Sequence, residues 1–408
     1  MFEPEVNPKN IKKAAFVVAI PSYNEADSIA FPVQQADQGI QSFFGNKESV
    51  IVNCDNNSND GTKEIFLSIK TTTPKIYIST EPGVKGKGRN FKNLFQKIID
   101  LEAEGIVVVD ADLKSITPRW IKHLGEPLFQ DFGYVAPLYV RHKYDGTITN
   151  SIAYPLTRAL YGRRVRQPIG GDFGFCGKLA YTYLESDTWS DAVANFGIDI
   201  WMTTIAMNEN IPICQAFMGR PKIHRAKDPG ADLGPMFRQV VGTIFYMMVK
   251  FFPFWGDVKW SKPTAIFGFG LGETEMPPPV KVNQDTLFKK FQEGFNIYSH
   301  IWEKIFQKET ANKLQEIRAM HKDLFDFPTN VWINVLIDFC IAYKNKQWKG
   351  DELLDSLIPI YLAKTLSYVK KTERMSIRDS EEFIEEECLQ FEATKRLLIQ
   401  RWKESGPG

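Results

Sequence analysis

The sequence predicts an α/β protein: a mostly parallel sheet flanked by helices, in the Rossmann manner, with an α-helical C-terminal region. Three observations carry this. Short apolar runs recur, separated by polar stretches long enough for crossover helices. Each run ends in polar residues that look least like packing, and from about residue 255 the pattern changes to long segments of helical spacing.

Residues 14–20, AAFVVAI, are continuously apolar and stop at Pro21, as expected of a strand buried on both faces. Val50 to Val52, Lys75 to Ser79 and Ile106 to Val109 read as further strands. Asn24 or Asp27 would cap the helix after the first strand, and Ser58 to Thr62 the helix after the second. The apolar segment Val240 to Trp255, broken by Lys250 and Pro253, reads as a buried helix, with a membrane-surface segment as the alternative. A Gly and Pro rich stretch, FGFGLGETEMPPPV, precedes helical spacing from Asn283 onward. These features divide the chain into residues 1–250, the ligand-binding α/β part, and 251–408, mainly helical. The acidic run Asp379 to Glu387 reads as a solvated helix face.

With 408 residues, 43% apolar, the chain can bury a sizeable core. Fifty Lys and Arg against 49 Asp and Glu leave no overall field toward nucleic acid or an anionic membrane, so an anionic ligand must be held by local chemistry. No stretch reaches a membrane span, the first residues lack the apolar core of a signal peptide, and five scattered cysteines show no metal spacing. A cytoplasmic protein is the expectation, and the long C-terminal helices would allow a homodimer.

The strongest local signal is Gly105 to Asp112, GIVVVDAD, a buried strand ending in two carboxylates one residue apart. A hard divalent cation such as Mg2+ or Mn2+ prefers oxygen ligands. Asp112 would bind metal and Asp110 would support metal or ribose; the alternative is a turn cap and a strand-end acceptor. Pro21-Ser22-Tyr23-Asn24-Glu25 and Asn53 to Thr62 end the two earlier strands, with Asp55 suited to a base N–H and Glu25 to a ribose or base donor. After the third strand, PGVKGKGRN leads into a helical pattern. Glycines permit close backbone approach, and Lys87 beside a helix N-terminus suits a diphosphate, while Lys85 and Arg89 would be surface charge.

In this order, PSYNEADSI, CDNNSNDGT, GKG and VVVDADL resemble the GT-A family of nucleotide-sugar glycosyltransferases. VAPLYVRHKYDGTIT, QPIGGD, FGID and IHR are similar to the retaining synthases that make mannosylglycerate, glucosylglycerate or glucosyl-3-phosphoglycerate. The resemblance implies a donor site at Pro21, Tyr23, Glu25, Asp55, Lys87, Asp110, Ala111, Gly170 and Gly171, and metal at Asp112 and His224 with Asp110. It implies acceptor binding by Arg141, Thr149 and Gly171, and approach of Asp199 to the donor sugar, with Asp199, Asp112 and Lys87 as the catalytic set. Phe196 stands where relatives carry tryptophan, and Asp172 where they often carry glutamate. The polar loop RAKDPGADLG after His224 would close over the diphosphate.

The implied partners are a GDP- or UDP-linked glucose or mannose and a small anionic acceptor, glycerate or 3-phosphoglycerate. Glycerate is favoured, because a phosphate would call for more cations than Arg141, His142, Lys143 and Arg158. The rival classes are a sugar nucleotidyltransferase, whose Gly and Lys loop would follow the first strand, and a non-catalytic binding module. A lipid-phosphate acceptor is a further alternative within glycosyltransferases.

Overall fold

A computed structural model describes residues 2–224, 234–268 and 275–406. The chain forms two compact units, one of Met1–Val140, Val165–Ala231 and Pro263–Pro277, the other of Arg141–Arg164, Asp232–Lys262 and Pro278–Gly408.

The first unit holds a nine-stranded sheet: β1 (Glu5–Val6), β2 (Phe16–Ser22), β3 (Ser49–Asp55), β4 (Lys75–Ser79), β5 (Gly105–Val108), β6 (Tyr134–Leu138), β7 (Phe173–Cys176), β8 (Ile213–Phe217) and β9 (Ala265–Phe267), in the order β1-β4-β3-β2-β5-β7-β6-β8-β9. Strands β2 to β6, β8 and β9 run parallel; edge strand β1 and interior strand β7 are reversed. The chain adds β3 and β4 on one side of β2 and β5 on the other, so the order reverses at β2 and β5. In open α/β sheets that crevice is where ligands bind.

Phe16, Val18 and Ile20 pack in one core with helices Ala30–Phe43 and Pro118–Gly125. On helix Lys87–Asp100, Phe91 stacks on Phe173 and Phe95 meets Phe175 edge to face. Both faces of the sheet are thereby covered, which is why its central strands read as continuous apolar runs.

Strand β2 does not stop at Pro21, as the sequence predicts, but continues through it to Ser22. Phe16 N–H donates toward β3 (Glu48 O, 3.1 Å) and Ala19 O accepts from Val109 of the β5 side, so Pro21 turns its missing donor toward β5. Pairing with β5 has already ended at Ala19, and no ladder bond is lost. The predicted caps are also absent: helix Ala30–Phe43 starts after Ile29 and helix Thr62–Ser68 after Gly61, neither with a side-chain cap. Asn24 and Asp60 instead tie the two loops together, accepting from Asn59 N (3.3 Å) and Ala26 N (3.0 Å).

The second unit is helical, with helices Tyr154–Tyr161, Gly234–Lys250, Phe252–Trp255, Gln284–Ile305, Lys308–Arg318, Thr329–Lys344, Gly350–Thr372 and Ile377–Glu404. The Asn283 side chain caps the fourth of these by accepting from Thr286 N. The segment Val240 to Trp255 is two helices, the second starting with Pro253 in its first turn, where a missing N–H costs nothing. No described helix is long and apolar enough to cross a membrane.

The acidic run Asp379 to Glu387 is not all solvated, contrary to the reading above. Glu387 is buried and pairs with buried Lys364, and Glu385 pairs with buried Arg158. Helical period turns every third or fourth residue of such a run inward.

Candidate functional site

Beyond β5 the chain holds its extended course: Val109 N donates to Ala19 O (3.0 Å) and Asp110 N to Asp172 Oδ1 (2.8 Å). A short antiparallel bridge between Leu113 and His224 follows, with Lys114 N donating to Ile223 O (2.8 Å) and Ile223 N to Ser115 Oγ (2.9 Å). The bridge places His224 Nδ1 3.1 Å from Asp112 Oδ1. Asp110, Asp112 and His224 each offer a ligand atom, all within 4.8 Å of one another. Two carboxylates and one imidazole suit Mg2+ or Mn2+, which complete their coordination with water or substrate oxygens.

Beside this group buried charges alternate in sign. Asp199 Oδ2 lies 3.0 Å from Lys87 Nζ, which lies 3.5 Å from Asp110 Oδ1. Lys222 Nζ lies 2.7 Å from both Asp110 Oδ2 and Asp172 Oδ2 and donates to Gly170 O at 2.8 Å. Tyr139 O–H closes the row on Asp172. Burial works against both ammonium groups, but the carboxylates, Asp110 foremost, outweigh it and hold Lys87 and Lys222 above the usual lysine range. Burial also opposes the charge of Asp110, yet Lys222 and Lys87 keep it well below the usual carboxylate range. Asp199 goes the other way: its burial exceeds the pull of Lys87, so its pKa is raised. Asp199 Oδ1 is buried with no hydrogen-bond partner among the described residues. A buried acceptor left open is costly, and at a strand-end crevice it points to a ligand hydroxyl.

Two glycines are sterically required. Gly171 has φ +83°, and a Cβ there would stand 2.9 Å from Lys222 Nζ and 3.0 Å from Asp110 Oδ2, wedging into the ion pair. A Cβ on Gly88 would be 1.9 Å from Val193 O. The glycines around Lys87 therefore let the loop pack on residues 193–195, rather than opening its backbone to a diphosphate as the sequence suggests. Lys87 is the first residue of helix Lys87–Asp100, as expected.

The other predicted donor residues are gathered at the same strand ends but serve unequally. Pro21 and Ala111 are buried. Tyr23 is 41% exposed, its hydroxyl accepting from the Nζ of exposed Lys85 (2.6 Å). Glu25 accepts from Ser28 Oγ. Asp55 is buried and accepts from Ser22 Oγ (2.7 Å), Ser58 N and Oγ (both 2.6 Å) and Tyr77 O–H (2.9 Å). Those four donors, two from Ser58 in the loop and one each from strands β2 and β4, hold its carboxylate, whereas the buried amide oxygens of neighbouring Asn53, Asn56 and Asn90 have no partner among the described residues.

In the helical unit, Arg141 and Thr149 converge on Gly146, where an added Cβ would lie 2.5 Å from Arg141 Nη1 and 3.6 Å from Thr149 Oγ1. Lys143 donates to the carbonyls of Thr372 (2.6 Å), Glu373 (2.9 Å) and Met375 (2.8 Å), closing a helix C-terminus. Arg158 is spent on Glu385 and Glu392. Phe196 is half exposed. The loop RAKDPGADLG lies, except for Gly234, outside the described residues.

Sequence reasoning missed Lys222 and gave Asp172 no part in an ion pair. One signal was present for Lys222: in an extended segment residues two apart share a side, so Lys222 accompanies His224.

Residues 17–181 match the family described as Glycosyl transferase family 2. No curated protein matches the chain in sequence. Among solved structures, the chain is similar to glucosyl-3-phosphoglycerate synthase from Mycobacterium tuberculosis in complex with Mn2+, UDP and glucosyl-3-phosphoglycerate, at 22% identity and TM-score 0.44 over 57% of this chain and 80% of that one. The same enzyme with Mg2+ and UDP gives 22% identity and TM-score 0.43 over 57% and 79%.

Proposed function

We propose that this chain, a metal-dependent glycosyltransferase whose residues 17–181 are a family 2 domain of the GT-A fold, moves glucose or mannose from a GDP- or UDP-linked donor to D-glycerate with retention of anomeric configuration. The observation that carries this reading is the buried row Asp199, Lys87, Asp110, Lys222, Asp172 beside Asp112 and His224, with one oxygen of Asp199 left open.

Asp112 and His224, with Asp110 beside them, would hold Mg2+ or Mn2+. When bound, the metal supplies positive charge against the diphosphate as it leaves. Lys87 adds an ammonium on the same side. Asp199 Oδ1 accepts a hydroxyl of the donor sugar and orients the ring. The acceptor hydroxyl attacks the anomeric carbon on the face the phosphate leaves; the C–O bond to phosphate breaks, the new C–O bond forms, and the hydroxyl proton passes to the departing phosphate oxygen. Arg141 and Thr149 hold the acceptor carboxylate, a guanidinium being suited to bidentate pairing.

Glycerate is preferred over 3-phosphoglycerate because two of the four cations around Thr149 in sequence are already spent: Lys143 on three carbonyls and Arg158 on two carboxylates. A nucleotidyltransferase is disfavoured because the Gly and Lys loop follows β4 and its glycine packs on Val193 O.

The test is a product assay with Mg2+ or Mn2+, pairing GDP-mannose, GDP-glucose and UDP-glucose each with D-glycerate and 3-phosphoglycerate. Turnover with glycerate that vanishes with EDTA supports the reading. Turnover with 3-phosphoglycerate alone would replace the acceptor, and nucleotide-sugar binding with no turnover on either would reject it.

A further inference from the structure

The net charge of the whole chain is +1, yet one part of the helical unit carries a field of its own. Residues 161–164 and 249–262 hold five cations, Arg163, Arg164, Lys250, Lys259 and Lys262, and a single acid, Asp257. The two segments are pinned side by side. Lys262 N donates to Gly162 O (3.0 Å), Arg163 and Lys262 form a parallel bridge, and Arg164 Nε donates to Ser261 Oγ (2.9 Å). Phe254 stacks on Tyr161 with ring centroids 6.3 Å apart. Gly162 permits this packing, because a Cβ there would lie 2.9 Å from Trp260 O. Among the described residues Arg163, Lys259 and Lys262 make no ion pair.

Apolar side chains are exposed in the same place. Trp260 is 67% and Val249 36% exposed, Pro253 is exposed, and Phe251, Phe252 and Phe254 are only partly buried. Aromatic rings mixed with lysines suit a lipid–water boundary, where a tryptophan ring sits at headgroup level and ammonium groups meet lipid phosphates. A second copy of this chain fits poorly, since a patch of five cations and one acid would face its like. A nucleic acid would call for a row of open rings on which bases stack, and of the aromatic side chains here only Trp260 is mostly exposed.

We propose that residues 249–262, with Arg163 and Arg164 beside them, are a docking surface for an anionic lipid bilayer. Trp260 and the apolar side chains around it enter the headgroup layer, and Lys259, Lys262 and Arg163 meet lipid phosphates. The attachment is to one leaflet, since no described helix is long and apolar enough to cross. Attraction between these cations and the surface falls off within a Debye length, so the attachment weakens as salt rises. The inference goes beyond the proposed reaction and uses none of its residues.

The experiment is flotation of the full chain with vesicles of phosphatidylcholine alone and of phosphatidylcholine mixed with an equal part of phosphatidylglycerol, at low and high salt. Wild type is expected to float with the anionic vesicles only and to be released by salt. Lys259→Gln with Lys262→Gln should weaken that binding about 25-fold, roughly 5-fold for each lysine. Trp260→Ala should weaken it about 10-fold and leave the remainder salt-sensitive. All three side chains are exposed, so the variants are expected to keep the wild-type melting temperature. Flotation of wild type with neither vesicle, or equally with both, overturns the proposal, and so does wild-type binding in either variant. A single-stranded oligonucleotide bound more tightly than the anionic vesicles makes the patch a nucleic-acid surface and overturns it too. If a variant does not fold, the lipid and salt dependence of wild type decides alone. Flotation needs no donor, metal or acceptor, so an inactive glycerate assay leaves this result standing, and a failed flotation leaves the proposed reaction untouched.

Discussion

Both units bury charge, and they do so to different ends. In the helical unit each buried charge is closed within the fold. Lys364 pairs with Glu387, which also accepts from Thr329; Arg158 takes two carboxylates; Lys344 and Lys395 donate to backbone carbonyls. In the sheet unit the row from Asp199 to Asp172 is paired too, but it borders an oxygen of Asp199 with no partner among the described residues and the group Asp110, Asp112 and His224, whose ligand atoms lie within 4.8 Å of one another. Burial and pairing alone do not mark a functional charge. The mark is a valence the fold leaves unfilled at the carboxyl ends of the strands.

Substitutions can break or sharpen that contrast. Asp112→Ala should lower turnover on the order of 10³-fold, comparable to losing a principal transition-state contact, with little change in melting temperature. A large fall in melting temperature would make Asp112 a fold residue and erase the distinction. Lys364→Met leaves Glu387 buried and uncompensated and should cost about 3–5 kcal/mol in urea unfolding, while turnover per folded molecule is unchanged; adding Glu387→Leu should restore most of the loss.

Asp199→Asn should reduce kcat about 10²-fold, as expected for a hydrogen bond to a charged group, with the product anomer unchanged. A trapped covalent sugar or an inverted product would make Asp199 a nucleophile instead. The smallest effect belongs to Lys395, which burial, opposed by Glu392, lowers to about 8 from 10.5. Between those values the unfolded chain binds more protons than the folded one, so stability rises with pH across the window. Wild type should therefore gain about 1 kcal/mol relative to Lys395→Met from pH 8 to pH 9, read as a difference in thermal unfolding. A flat difference would show that Lys395 carries no buried-charge penalty.

Legibility followed burial geometry. Strands β2 to β5 could be read because parallel strands covered on both faces are continuously apolar. The reversed strand β7 escaped notice: in FGFC the phenylalanines alternate with Gly174, and local pattern carries no direction. Strand β9, just ahead of the Gly and Pro rich stretch, escaped notice because it is only three residues long at the sheet edge. Asp110 and Asp112 were legible because they close an apolar run, and Lys87 because glycines flank it. Lys222 was not, because its meaning lies in Asp110, Asp172 and Gly170, remote in sequence. Nor could sequence show that Lys143 and Arg158 are spent, or that Arg141, 3.9 Å from Asp145, lies beside Gly146 with Thr149.

By itself, then, the sequence determined the α/β pattern, the helical remainder, the polar strand ends, and the residue types able to hold a metal and an anion. All of these are written in period, run length and side-chain chemistry. Tertiary structure alone decided which charge meets which, that Asp55 is held by Ser22 and Tyr77 of the neighbouring strands while Asp199 Oδ1 has no partner among the described residues, and that Lys222 stands between Asp110 and Asp172. The reason is range: hydrogen bonds and buried ion pairs act over a few ångströms, and residues 112 apart, such as Asp110 and Lys222, reach that distance only once the chain has folded.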